Sequence, residues 1–107
     1  MLAISGKLLF RPEDHEEIAD GFRDIIKLSR QEPGCVEYWF AEDLDQAGTF
    51  AFFECWASKD AFDTHVGSTN QKEFGERYLS RMIGAAAAQY EISDRQVIAT
   101  ESSTSSS

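Results

Sequence analysis

The residues best equipped for chemistry lie close together in the middle of the chain. Glu54 and Trp56 alternate with apolar neighbours in "TFAFFECW", and His65 follows in "KDAFDTHV". An imidazole exchanges a proton near neutral pH, which makes His65 the candidate acid–base group. Asn70, Phe74 and Tyr78 recur at i, i+4 and i+8, which places an amide at the mouth of an aromatic row. His65 and Phe62 share the inward face of the preceding short helix. The two polar groups, His65 and Asn70, are therefore expected to converge over apolar walls made by Trp56, Phe62, Phe74 and Tyr78. Each of these side chains also has a purely structural use. Trp56, Phe74 and Tyr78 suit a core, His65 a satisfied core histidine and Asn70 a helix cap. Glu54, on an apolar face, must find hydrogen bonds or a cationic partner, within the chain or across a dimer, or else hold a proton. His15 stands among carboxylates and reads as solvated surface.

What surrounds these residues narrows the function. A chain of 107 residues with 42% hydrophobic content holds one ordinary domain. Its net charge of −9 repels phosphate backbones and anionic membrane surfaces, so neither nucleic acid nor membrane is an expected partner. No apolar run approaches the roughly 20 residues that span a bilayer, and no secretory leader pattern opens the sequence. A cytoplasmic location is expected. Cys35 and Cys55 show no C-x-x-C spacing and read as small buried hydrophobes. Together with His15 and His65 they offer no ligand cluster, and no glycine-rich loop cradles a phosphate, so no metal, flavin or haem is expected.

The positioning elements follow from periodicity. "LAISGKLLF" alternates as a strand, with Gly6 allowing a close approach to its backbone. Pro12 opens a helix whose first turn is acidic and whose end carries Lys27 and Arg30, before Pro33 and Gly34 stop it. Ile18, Phe22, Ile25 and Ile26 form its buried stripe. "CVEYWFAE" and "TFAFFECW" form a hairpin across "DLDQAG". Both faces of its second strand need cover, and helices on one side of the sheet cover one face only; a second copy of the chain is the simplest lid. Ser58 caps a helix over "KDAFDTHV", Ser68 or Thr69 caps the next, and a last strand is expected from Ala87 to Ser93. The order β-α-β-β-α-α-β is the ferredoxin-like split β-α-β arrangement of the α+β class. The domain is expected over residues 1–94. A Ser/Thr-rich tail over 95–107 should be mobile in its last seven residues, with Val97 and Ile98 able to pair with a partner chain.

The stretch "EPGCVEYWFAEDLDQAGTFAFFECWASKDAFDTHVGSTNQKEF" resembles the central part of antibiotic biosynthesis monooxygenase-like domains. It has their proline-glycine entry to strand two, their aspartate-rich hairpin, a Glu and a Trp two apart, and a His nine residues beyond the Trp. The resemblance, over about residues 2 to 93, implies a homodimeric α+β barrel with a pocket in each subunit. It also implies a small aromatic ligand: relatives include cofactor-independent oxygenases that turn phenols or quinols into quinones. On that reading His65 takes the phenolic proton, Asn70 binds the developing oxyanion, and Trp56, Phe62, Phe74 and Tyr78 hold the ring. The alternative is a non-catalytic ligand-binding or stress-associated dimer. Departures bear on the choice. Haem-degrading relatives carry a ligating histidine where this chain has Gly75 and an asparagine near Ser5 or Gly6. Many bacterial members have a second histidine where Asn70 stands here, and polyketide-tailoring oxygenases have a tyrosine in place of Phe62. The isomerase relatives handle a sugar phosphate, for which the expected pocket offers no Arg or Lys cluster.

Overall fold

The computed structural model describes residues 1–100. The serine-rich end for which mobility is expected, 101–107, lies outside the described residues. Four strands, β1 (Leu2–Leu9), β2 (Cys35–Glu42), β3 (Thr49–Trp56) and β4 (Gly84–Glu91), form one sheet in the order β2-β3-β1-β4, with every neighbouring pair antiparallel. Three helices, α1 (His15–Arg30), α2 (Lys59–Val66) and α3 (Thr69–Arg77), complete the ferredoxin-like α+β fold that the element order implies.

Helix α1 begins one turn later than Pro12 suggests, because Pro12–Asp14 form a turn of 3-10 helix that leads into it. Its stripe of Ile18, Phe22 and Ile25 is buried against the sheet with Phe10, Tyr38, Phe50, Trp56 and Phe74. Phe22 is the hub: it stacks on Phe40 at 4.1 Å and meets Phe50 edge-on at 4.9 Å. Below the same stripe Arg81 reaches back to Asp14 at 2.8 Å and to Glu17 at 2.9 Å, tying the end of the α3 region to the start of α1.

The last strand differs from expectation. It begins at Gly84, so all four alanines lie in the sheet, and it ends at Glu91. Ala85, Ala86, Ala87 and Ala88 pair with Leu8, Lys7, Gly6 and Ser5. Their helix propensity of a few tenths of a kcal/mol each is outweighed by a complete ladder against β1. What approaches the Gly6 backbone is this strand: a Cβ at Gly6 would collide with the Ala86 carbonyl and lie 2.7 Å from the Ala87 Cα. β4 is exposed along nearly its whole length.

The sheet face away from the helices carries Trp39, Phe53 and Cys55 by register, and Trp39 leans on Phe53 with 6.3 Å between ring centres. After β4 the chain turns towards this face, and Arg95 lies 3.7 Å from Glu37 of β2. Val97 and Ile98 are exposed and belong to no strand. Among the described residues no helix is long and apolar enough to cross a membrane.

Candidate functional site

His65 is placed by the start of its own helix. Ser58 Oγ accepts a hydrogen bond from the Ala61 N–H at 3.1 Å and fixes where α2 begins, which turns the face bearing Ala61 and His65 inward. The imidazole is 2% exposed. It lies over the Trp56 indole with 4.5 Å between ring centres and meets Tyr38 edge-on at 5.5 Å.

Two carboxylates flank the ring. Glu32 Oε1 stands 2.6 Å from Nδ1, and Glu54 Oε1 stands 3.9 Å from Nε2. The first is a short charge-assisted contact; the second is beyond hydrogen-bond reach. Among the described residues Nε2 is left buried and without a partner. Glu54 is held from its other side, because the fully buried Trp56 donates its indole N–H to Glu54 Oε1 at 2.8 Å. The pairing that a carboxylate on this face requires is thus found within the chain.

Glu32 owes its position to a tight turn. Cys35 N–H donates to the Glu32 carbonyl at 3.1 Å, Pro33 and Gly34 occupy the two central places, and Gly34 has φ +85°. Pro then a positive-φ Gly is the pattern of a type II turn, which a residue with a Cβ would strain. Gly34 also accepts from Ala57 N–H at 2.7 Å, which ties the turn to the end of β3. A Cβ on Gly34 would stand 2.5 Å from the Ala61 Cβ, so α2 packs directly on the turn.

Burial dominates the electrostatics. It raises the Glu54 carboxyl above its ordinary value, against the pull of the Trp56 hydrogen bond and of His65. It also raises the Tyr38 hydroxyl, aided by the nearby Glu54 charge, and both thiols, so neither Cys35 nor Cys55 has thiolate character. Among the described residues no group of three or more His, Cys, Asp and Glu side chains is arranged to hold a metal ion.

A cleft of about 370 Å³ opens beside the ring, lined by Glu32, Pro33, Gly34, Ser58, Asp60, Ala61, Thr64 and His65. Asn70, Phe74 and Tyr78 do not join it. They line a separate, smaller cleft of about 140 Å³ against α1, with Gly21, Asp24, Ile25 and Arg77. The expected single pocket is therefore divided. The structure brings Trp56 and His65 together, sends Asn70 to the exposed rim of the second cleft, and packs the half-buried Phe62 on the core. The row from Asn70 to Tyr78 is real, but α3 turns it onto α1. Glu32 and Tyr38 were not anticipated. Tyr38 is the register partner of Glu54, which the hairpin pairing makes findable. For Glu32 the only sequence signal is its place directly before Pro33-Gly34.

As chemistry, the arrangement offers one basic nitrogen with an unmet hydrogen-bonding need, backed by a carboxylate and walled by aromatic rings. Charge developing on the ring would be matched by Glu32 and Glu54.

An uncharacterized protein, sll1783 of Synechocystis sp., is 31% identical over 98 residues, covering 91% of this chain and 67% of its own length. The crystal structure of a Deinococcus radiodurans protein assigned as an antibiotic biosynthesis monooxygenase superposes with a TM-score of 0.81 at 25% identity, over 94% of this chain and 100% of that one. Rv0793 of Mycobacterium tuberculosis shares the fold, with a TM-score of 0.79 at 23% identity over 90% of this chain and 98% of its own. The family model described as antibiotic biosynthesis monooxygenase matches residues 1–77, from β1 through α3, and the chain belongs to that family.

Proposed function

We propose that this chain is a cofactor-independent monooxygenase that converts a phenolic or quinol aromatic to a quinone. The observation that carries the reading is the Nε2 atom of His65, buried and unpartnered in a ring that borders a cleft. Buried polar atoms are nearly always satisfied, so one that is not invites a ligand group, and a basic nitrogen accepts from a hydroxyl. The cleft's lining includes the carboxylates Glu32 and Asp60 and no lysine or arginine, which favours a ligand that arrives neutral, as a phenol does.

The chemistry balances with dioxygen as co-substrate. The phenolic O–H breaks and its proton goes to Nε2. The electron-rich phenolate reduces O₂ at an unsubstituted ring carbon, whose C–H bond then breaks; one oxygen stays on that carbon, as the new carbonyl from a phenol or as the hydroxyl of a hydroxyquinone from a quinol, the other leaves as water with the ring hydrogen and the proton returned by Nε2, and the ring supplies all four electrons. The protein's tasks are deprotonation and keeping bulk water from the imidazole, against which the Trp56 and Tyr38 rings pack. Asn70 stands in the other cleft and has no part in this step.

The working unit is a homodimer on this reading. β4 is exposed, and Trp39 and Phe53 on the outer sheet face are covered only in part, which a second copy would remedy. Sedimentation at micromolar concentration should give twice 12.0 kDa; a stable monomer would count against it.

Oxygen uptake with a panel of hydroquinones, anthrones and catechols tests the activity, and His65→Ala should lower turnover by about 10² to 10⁴. Tight binding of these aromatics with no uptake by the wild type would refute the oxygenase and leave a ligand-binding dimer.

A further inference from the structure

We propose that Glu32 is a positioning residue which holds the Nδ1–H of His65 and thereby fixes Nε2 as the proton-accepting atom of the site. The proposal deepens the oxygenase reading and rests on it for the identity of the proton donor.

A neutral imidazole carries its proton on one nitrogen, and the base is the other; the hydrogen bond made by the first decides which. Here Nδ1 faces Glu32 Oε1 at 2.6 Å, and a carboxylate accepts, so Nδ1 donates. Among the described residues Nε2 has no donor or acceptor within reach, since Glu54 Oε1 is 3.9 Å away and already takes the Trp56 N–H. The lone pair therefore sits on Nε2.

Glu32 is built to keep this hold. Its N–H donates to the Ser29 carbonyl at 3.1 Å at the end of α1, its own carbonyl takes the Cys35 N–H, and the next turn residue but one is bound to Ala57. The backbone under the carboxylate is fixed from α1, β2 and β3 together, while α2 delivers the imidazole onto the same turn at Gly34 and Ala61. A carboxylate needed only for solubility would not require such support. When Nε2 gains the substrate proton, the N–H bond formed replaces the O–H bond broken, and the imidazolium lies between Glu32 and Glu54 without moving.

The test reads the ring directly. In uniformly ¹⁵N-labelled full-length protein, His65 is distinguished from the other histidine by His15→Gln. Long-range ¹H–¹⁵N correlations of the neutral ring should show the proton on Nδ1 in the wild type, a shift towards the Nε2–H form or a mixture in Glu32→Ala, and recovery of Nδ1–H in Glu32→Gln, whose side-chain oxygen still accepts. With a substrate in hand, Glu32→Ala should lower kcat by about tenfold to a hundredfold with KM little changed, and Glu32→Gln should recover part of it. A wild-type ring with its proton on Nε2, a ring doubly protonated throughout the folded range, or a tautomer indifferent to Glu32→Ala would each overturn the proposal. If Glu32→Ala does not fold, the wild-type tautomer and Glu32→Gln still decide it. The spectrum answers whether or not a phenol turns over, whereas absent oxygen uptake by the wild type bears on the oxygenase reading alone.

Discussion

Replacing Trp56 by Phe should expose how far the site and the sheet depend on one N–H. The indole is fully buried and is the group that donates to Glu54 Oε1, at 2.8 Å. Hydrogen bonds to charged groups contribute about 1.5–3 kcal/mol, and the missing part of the ring about 1–2 kcal/mol more at roughly 0.8 kcal/mol per buried methylene. The expected loss is about 2.5–5 kcal/mol, a large share of the 5–15 kcal/mol typical of a domain. Its pH dependence follows from Glu54. Burial holds that carboxyl above its ordinary 4.5, so the folded chain keeps a proton that the unfolded chain has lost. Stability therefore falls as pH rises from about 4.5 through the raised folded value, and the indole N–H limits that fall by favouring the ionised form. Without it the window widens, and the deficit of Trp56→Phe should be smaller below pH 4.5 than at neutrality. Urea denaturation followed by far-ultraviolet circular dichroism, at two pH values and one protein concentration, measures this. The double variant Trp56→Phe, Glu54→Met removes both partners and should cost less than the sum of the single changes by about 1.5–3 kcal/mol. Costs that add to within about 0.5 kcal/mol, or a deficit independent of pH, would refute the assignment of the bond to stability.

Other consequences are as open to measurement. Gly6→Ala should push β4 off β1 and cost about 1–3 kcal/mol, with amide exchange accelerating first in Gly84–Glu91; a protected β4 would contradict the close approach. Ser58→Ala should cost about 1 kcal/mol by thermal melting and loosen α2, whereas Ser58→Asp, which also caps, should not. Asp14 titrates below its ordinary 3.8 because Arg11 hydrogen-bonds to it and Arg11 and Arg81 lie nearby, so Arg11→Gln should move its carboxyl resonance upward in a pH titration followed by NMR. That stabilisation is present above 3.8 and is lost as pH falls through the lowered folded value.

Much of the architecture could be read from residue order because local signals agree with the fold. The alternation in β3, the stripe of α1 and the hydroxyl caps of α2 and α3 each name their element. Ala85–Ala88 could not be placed so firmly, since their backbone is decided by pairing with residues about 80 positions earlier. The site divides in the same way. Trp56 and Glu54 lie two apart on one strand face and had to meet, and α2 had to turn His65 inward. Glu32 is 33 residues from His65, and nothing local declares that a turn before β2 will meet a helix after β3. Asn70 lines a different cleft from His65 because helical spacing fixes which side chains share a face but not which neighbour that face meets.

Trp39 and Trp56 occupy opposite faces of the sheet, one half-buried beside Phe53, the other sealed against His65. The chain thereby carries two intrinsic fluorophores with separate duties, and each single Trp→Phe variant leaves one of them to report. Trp39 emission should shift to shorter wavelength when anything covers the outer face, while Trp56 emission, with an imidazole 4.5 Å from its ring, should be quenched when that imidazole takes a proton. Cover of the outer face and protonation at the site can thus be followed in one cuvette, without a label and without knowing the substrate.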